Sequence, residues 1–199
     1  MEVVRVLVAI VLAYLLGSIP AGYSIGRLWG VNVLEHGSGR TGGTNVYRAA
    51  GIAAALLSGA VDVGKGFAAV WLAGEISQNL LAQVLAGGAV ILGHCFPVFL
   101  HFRGGAGVAT SLGALGAIYW PAAVGLLILL LLVVVITRYA SVASLIVTTL
   151  VPIILLVLGL VGALPLIYTL YGLLAWMIIF YTHGPNIQRL MQGTERRLQ

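Results

Sequence analysis

Charge is scarce in this chain: only 8% of its 199 residues are Asp, Glu, Lys or Arg, against about a quarter in ordinary soluble domains. Hydrophobic residues make up 61%, more apolar surface than a soluble core of this size absorbs, so the chain reads as an integral membrane protein. Cysteine is almost absent too, and the single Cys95 excludes an internal disulfide. Carboxylates are few and scattered, with Asp62 the one aspartate, and nothing clusters as a Mg²⁺ site requires. The four histidines and Cys95 lack the short repeated spacings of metal ligands, so neither a metal site nor a cofactor is expected. Nor does an Asp follow any His at five residues, which excludes acyltransferases built on that pair.

What is present is long apolar sequence. The runs do not alternate, which argues against a β-barrel, and backbone groups in lipid must then pair within helices. Segments of about 17 to 25 apolar residues can each cross a hydrocarbon core, and the chain divides into seven. They cover residues 3–27 (interrupted at Pro20), 51–74, 80–100, two within 108–137 separated at Tyr119–Pro121, and two within 139–182 separated around 159–165. The N-terminal run has a lone Arg5 before it and no small-residue cleavage site, so it reads as an uncleaved first helix. The expectation is an all-α protein of one domain over residues 1–199, with seven transmembrane helices.

Orientation follows from the basic residues, which favour the cytoplasmic side of short loops. With the N-terminus outside and the C-terminus cytoplasmic, Arg27, Arg40, Arg48, Arg103, Arg138, Arg189, Arg196 and Arg197 all fall inside. Arg5 is then outside, and Lys65 lies within a span.

The polar residues gather into islands on that same face: EHGSGRTGGTNVYR (35–48), HCFPVFLHFRGGAGVAT (94–110) and HGPNIQR (183–189). In the first, glycines let backbone amides point inward, Ser38, Thr41 and Thr44 add donors, and Arg48 supplies a fork for phosphate. Its match to G-x-G-x-x-G lacks a preceding strand, and its P-loop spacing has Gly43 where lysine is required. In the second, Arg103, Gly104, Gly105 and Gly107 set amides and a cation at a helix start, which attracts anions. For either island alone, an ordinary turn or close helix packing remains a sufficient explanation. Asp62 and Lys65 stand three apart on a helix and can neutralise one another, as structural pair or as part of a site.

An anion cradle opening onto lipid suits an enzyme joining a phosphate compound to an acyl or prenyl chain. A protein that binds or transports a lipid phosphate fits as well, although no halved hydropathy symmetry supports transport. Nothing in the charge pattern points to nucleic acid.

Four motifs then bring a known family into view: GSGRTGGTNVYR (37–48), DVGKG (62–66), GHCFPVFLHFRGGAGVAT (93–110) and HGPNIQRLMQGTE (183–195). In this order, and over essentially the whole chain, they resemble the bacterial acyl-phosphate:glycerol-3-phosphate acyltransferases of the PlsY type. The resemblance implies acyl transfer from acyl phosphate to the 1-hydroxyl of glycerol 3-phosphate, giving lysophosphatidic acid and phosphate in a bacterial inner membrane. It implies a monomer with no metal or acyl-CoA, and a substrate phosphate that helps deprotonate the hydroxyl. By position, Ser38, Asn45, Arg48, His183 and Asn186 would line the glycerol 3-phosphate site, and Gly104, Gly105 and Gly107 would face the acyl-phosphate head. Asp62, Lys65 and Arg103 would support them. Against the family pattern, Arg40 stands for Asn, Arg103 for the first Lys of KGGKG, and Ala106 for the second. Arg40 is expected to restore the charge lost at Ala106. A divergent relative that uses another acceptor is the competing reading.

Overall fold

The computed structural model describes residues 1–198. Among them there is no strand; the helices are α1 (Glu2–Ser18), α2 (Ala21–Leu28), α3 (Gly43–Ser77), α4 (Leu80–Cys95), α5 (Val108–Thr137), α6 (Ala140–Leu160) and α7 (Tyr168–Met191). Pro20 separates α1 from α2, as its missing N–H and fixed φ favour. Within the most apolar window of α5 only 6% of residues are buried. Such a surface is tolerable only against lipid, and the chain is an integral membrane protein.

Among the described residues, five helical stretches are long and apolar enough to cross a membrane: 2–28, 43–77, 80–100, 108–137 and 140–160. The expected count of seven is therefore corrected. The two spans expected within 108–137 form one helical stretch, bent at Tyr119 where the separation was expected, and α7 dilutes its apolar residues with Tyr168, Tyr171, Tyr181, His183 and Asn186.

Two long helices are sharply bent, and the bends position the site. In α5, Tyr119 is extended (φ −155°, ψ 90°) and Pro121 follows. A methyl on Gly116 would stand 3.7 Å from the Cβ of Ala123, although two turns of straight helix would hold such residues about 10 Å apart. Chain 120–137 thus folds back beside 108–118, an arm only about 16 Å long and too short to cross alone. In α3 the bend is at Gly51 (φ 83°, ψ −178°), a conformation that glycine alone adopts readily. A methyl on Gly43 would lie 3.8 Å from the Ala55 carbonyl oxygen, so 43–50 is a short arm lying back on 52–77.

Lipid is as apolar as a helix face, so association rests on close packing of small residues and a few polar ties. α3 packs on α5 through Gly66 and Gly113, and α1 on α4 through Gly17 and Gly93. A Cβ at any of these would overlap a backbone carbonyl of the facing helix: Thr110, Val63, Val90 and Tyr14 respectively. Tyr171 donates to Ser111 O at 2.6 Å, Tyr168 to Gln83 Oε1 at 2.6 Å, and Tyr14 to Phe96 O at 2.9 Å. Gly113→Ala is expected to cost about 1–3 kcal/mol, as overpacking does where backbone cannot yield. A melting midpoint in detergent equal to that of the native chain would refute this.

Candidate active site

The three polar islands meet at one end of the bundle. Thr41 N–H donates to Gly104 O at 3.3 Å, joining the first to the second. Arg40 reaches the third, donating to Thr182 O and, at 3.3 Å, to Asn186 Oδ1. Thr182 in turn donates its hydroxyl to Ala106 O at 3.2 Å. Arg40 is thus one carbonyl away from the backbone of Ala106.

Between them lies a cavity of about 800 Å³, within the range of small-molecule sites. Its polar end holds Ser38, Arg40, Asn45, Arg48, His183, Asn186, Arg189, Glu195 and Arg196. Its other end is an apolar trough. Leu56, Gly59, Ala60, Val63, Gly64 and Phe67 recur along α3 at helical spacing and face Leu112, Leu127, Leu130 and Leu131 from both arms of α5. The bend at Tyr119 brings those arms to the same space, and Gly59 and Gly64 leave it open, with nothing within 4 Å of an added Cβ.

The individual side chains are used in different ways. Asn45 is buried, and its Oδ1 accepts from Ser38 N at 2.9 Å while Nδ2 donates to Val33 O and Arg40 O, each at 2.8 Å. It therefore moulds the first loop. His183, also buried, has Nδ1 on Ile179 O at 2.8 Å; that carbonyl can only accept, so Nε2 is left as an acceptor at the cavity. Arg48 donates to Arg196 O at 3.3 Å. Burial, with Arg189 nearby, pulls the Arg40 pKa below the ordinary arginine value, but not enough to discharge a guanidinium.

The 104–107 turn rests on α4. Gly105 N–H donates to His94 O at 3.0 Å, and Cβ atoms at Gly104 or Gly105 would overlap the His94 carbonyl or ring. Gly107, at φ 90°, opens α5 and lines the cavity. Arg103 is exposed and does not line it. Beneath the turn, Asp62 pairs with Lys65 at 2.8 Å and with His94 Nδ1 at 3.2 Å, and Lys65 donates to Ile19 O at 3.1 Å. All three are buried. Sequence reasoning had no route to the Asp62–His94 contact, which joins residues on different helices. It also left Arg189, Arg196 and Glu195 without a role, although Arg189 and Glu195 lie inside the fourth motif.

The glycerol-3-phosphate acyltransferase family profile matches residues 7–193. The chain belongs to that family. The glycerol-3-phosphate acyltransferase of Rubrobacter xylanophilus is 39% identical over 94% of this chain and 92% of its own. The one from Jannaschia is 43% identical over 94% and 90%. Among solved structures, crystalline PlsY, an integral membrane glycerol 3-phosphate acyltransferase, superposes in its glycerol 3-phosphate form with a TM-score of 0.86 at 35% identity, covering 98% of this chain and 96% of that one. Its lysophosphatidic acid form gives 0.85 at the same identity. As an acyltransferase of this family, the chain sets its arginine-rich end and its apolar trough in one continuous space.

Proposed function

We propose that this chain transfers an acyl group from acyl phosphate to the 1-hydroxyl of glycerol 3-phosphate, releasing lysophosphatidic acid and inorganic phosphate for membrane phospholipid synthesis. The observation that carries the proposal is the two-ended cavity: arginines and amides where phosphates must sit, and a trough of leucine, glycine and phenylalanine where an acyl chain must lie. Arg48, Ser38, His183 and Asn186 receive glycerol 3-phosphate, with His183 Nε2 accepting from a substrate hydroxyl and Asn45 holding the loop in shape. Gly107 and the start of α5 line the cavity and face the acyl-phosphate head, where free amides stabilise charge on the carbonyl oxygen and the departing phosphate, while Gly104 and Gly105, which do not line the cavity, shape the turn against His94. The hydroxyl oxygen bonds to the acyl carbon, the bond from that carbon to the phosphate oxygen breaks, and the hydroxyl proton passes to phosphate. Ala106 stands where the family motif carries lysine, and Arg40 supplies the missing cation from across the Thr182 bridge. Asp62 and Lys65 hold the turn from below, while Arg103 supports it only from outside.

The positive-inside bias supports an N-terminus outside and this site on the cytoplasmic side; the family reading adds a single-domain monomer in a bacterial inner membrane. Purified protein incubated with acyl phosphate tests the reaction through phosphate release. Release that depends on added glycerol 3-phosphate, with lysophosphatidic acid formed in equal amount, is the expected result. Binding of both compounds without release would instead identify a lipid-phosphate binder.

A further inference from the structure

The segment after α7 returns to the site. Gly193, at φ 69°, ends the helix and turns the chain, and residues 194–198 then run across the polar end of the cavity. Thr194 N–H donates to Arg189 O at 2.8 Å and Leu198 N–H to Arg138 O at 2.8 Å, so both ends of the strap are fastened. Arg197 adds a hydrogen bond to the Tyr139 hydroxyl at 2.8 Å and lies over that ring. Between these points the strap lowers Glu195 into the cavity, where its side chain is only 5% exposed.

Among the described residues, Glu195 is the one carboxylate beside Arg40, Arg48, Arg189 and Arg196 at this end. Its Oε1 accepts from Asn186 Nδ2 at 2.8 Å and its Oε2 from Arg189 Nε at 2.8 Å. Burial favours the acid form, but these hydrogen bonds outweigh it and hold the pKa below the usual glutamate value. On its other side, Asn186 accepts from Arg40. A carboxylate only accepts and a guanidinium only donates, so these two neighbours leave the Asn186 amide a single orientation.

We infer that Glu195 is a positioning residue for the acceptor: carried on the C-terminal strap, it sets the Asn186 amide and the Arg189 guanidinium before glycerol 3-phosphate enters. This rests on the functional reading above and goes beyond it, because it assigns the strap a place in substrate recognition. Without the carboxylate, the Asn186 amide is held from one side only, by Arg40 at 3.3 Å, and Arg189 is free to swing out of the cavity. The donor site at the 104–107 turn makes no contact with Glu195, so donor recognition stays intact.

The test is equilibrium binding of labelled glycerol 3-phosphate to the full chain in detergent, alongside KM for both substrates and the melting midpoint. Glu195→Ala is expected to weaken glycerol 3-phosphate binding about ten- to a hundredfold, the range for a charge-assisted hydrogen bond. The KM for acyl phosphate and the midpoint should hold. Glu195→Gln, which keeps an acceptor for Asn186 and loses the ion pair with Arg189, should fall between, and it carries the same test should the alanine variant not fold. Unchanged binding in both variants overturns the inference, as does a parallel loss of binding, donor KM and midpoint. If the native chain binds glycerol 3-phosphate without turning it over, the functional reading fails while a weakened Glu195 variant still supports the positioning role.

Discussion

Replacing Asp62 with alanine is expected to destabilise the folded chain by about 3–5 kcal/mol, the usual cost of removing one partner from a buried ion pair. Lys65 would then keep a charge within an apolar bundle, with only the Ile19 carbonyl left as a partner at 3.1 Å. His94 would lose the acceptor on Nδ1 that orients its ring. That ring packs against Gly105, and the His94 carbonyl holds Gly105 N–H. Acyl transfer should therefore fall even at temperatures where the variant remains folded. A double variant, Asp62→Leu with Lys65→Met, separates the two effects. It removes both charges and should recover most of the stability, because apolar replacements of a buried pair are often neutral; it should not recover the turnover that depends on His94. Thermal melts and initial rates on the same preparations make the comparison. A single variant as stable as the native chain would show that the pair is not what holds these helices.

Arg40→Asn is expected to lower kcat/KM for glycerol 3-phosphate about ten- to a hundredfold. The reason is local to this chain. On the proposed reading Ala106 stands in the place of a lysine, and the Arg40 guanidinium reaches the same corner through Thr182 and Asn186. Adding Ala106→Lys to Arg40→Asn should return most of the activity, since Ala106 lines the cavity. The two substitutions are thus expected to be strongly non-additive, as neighbouring groups serving one ligand are. Steady-state kinetics on the two single variants and the double variant decide the matter. If Arg40→Asn turns over glycerol 3-phosphate as the native chain does, Arg40 is no substitute for the lysine.

Much of this protein was legible in its composition and order. The apolar runs required helices in lipid, Pro20 marked the break between α1 and α2, and the three polar islands that meet in the fold stood out against their surroundings. The four motifs identified the family. Asp62 and Lys65 could be paired from their spacing alone, because residues three apart share a helix face.

What the tertiary structure decided was which runs are bent and which distant residues touch. The sequence placed a break at Tyr119–Pro121, and the chain bends at Tyr119, but hydropathy does not distinguish a face turned to lipid from one turned to another helix, so where the two arms lie was not legible. The expected seven spans became five candidates because 108–137 counts as one helical stretch and α7 is too polar by composition, and the trough exists only because both arms of α5 face α3. The same holds for the polar end. Arg40 meets Asn186 across 146 positions of sequence, and Glu195 finds Asn186 and Arg189 only once Gly193 has turned the chain back. Sequence alone determined that the polar groups are few, collected, and set at helix ends in a lipid-solvated bundle. Helix packing decided which of them share one cavity, because side-chain contacts between segments depend on crossing geometry that no local pattern encodes.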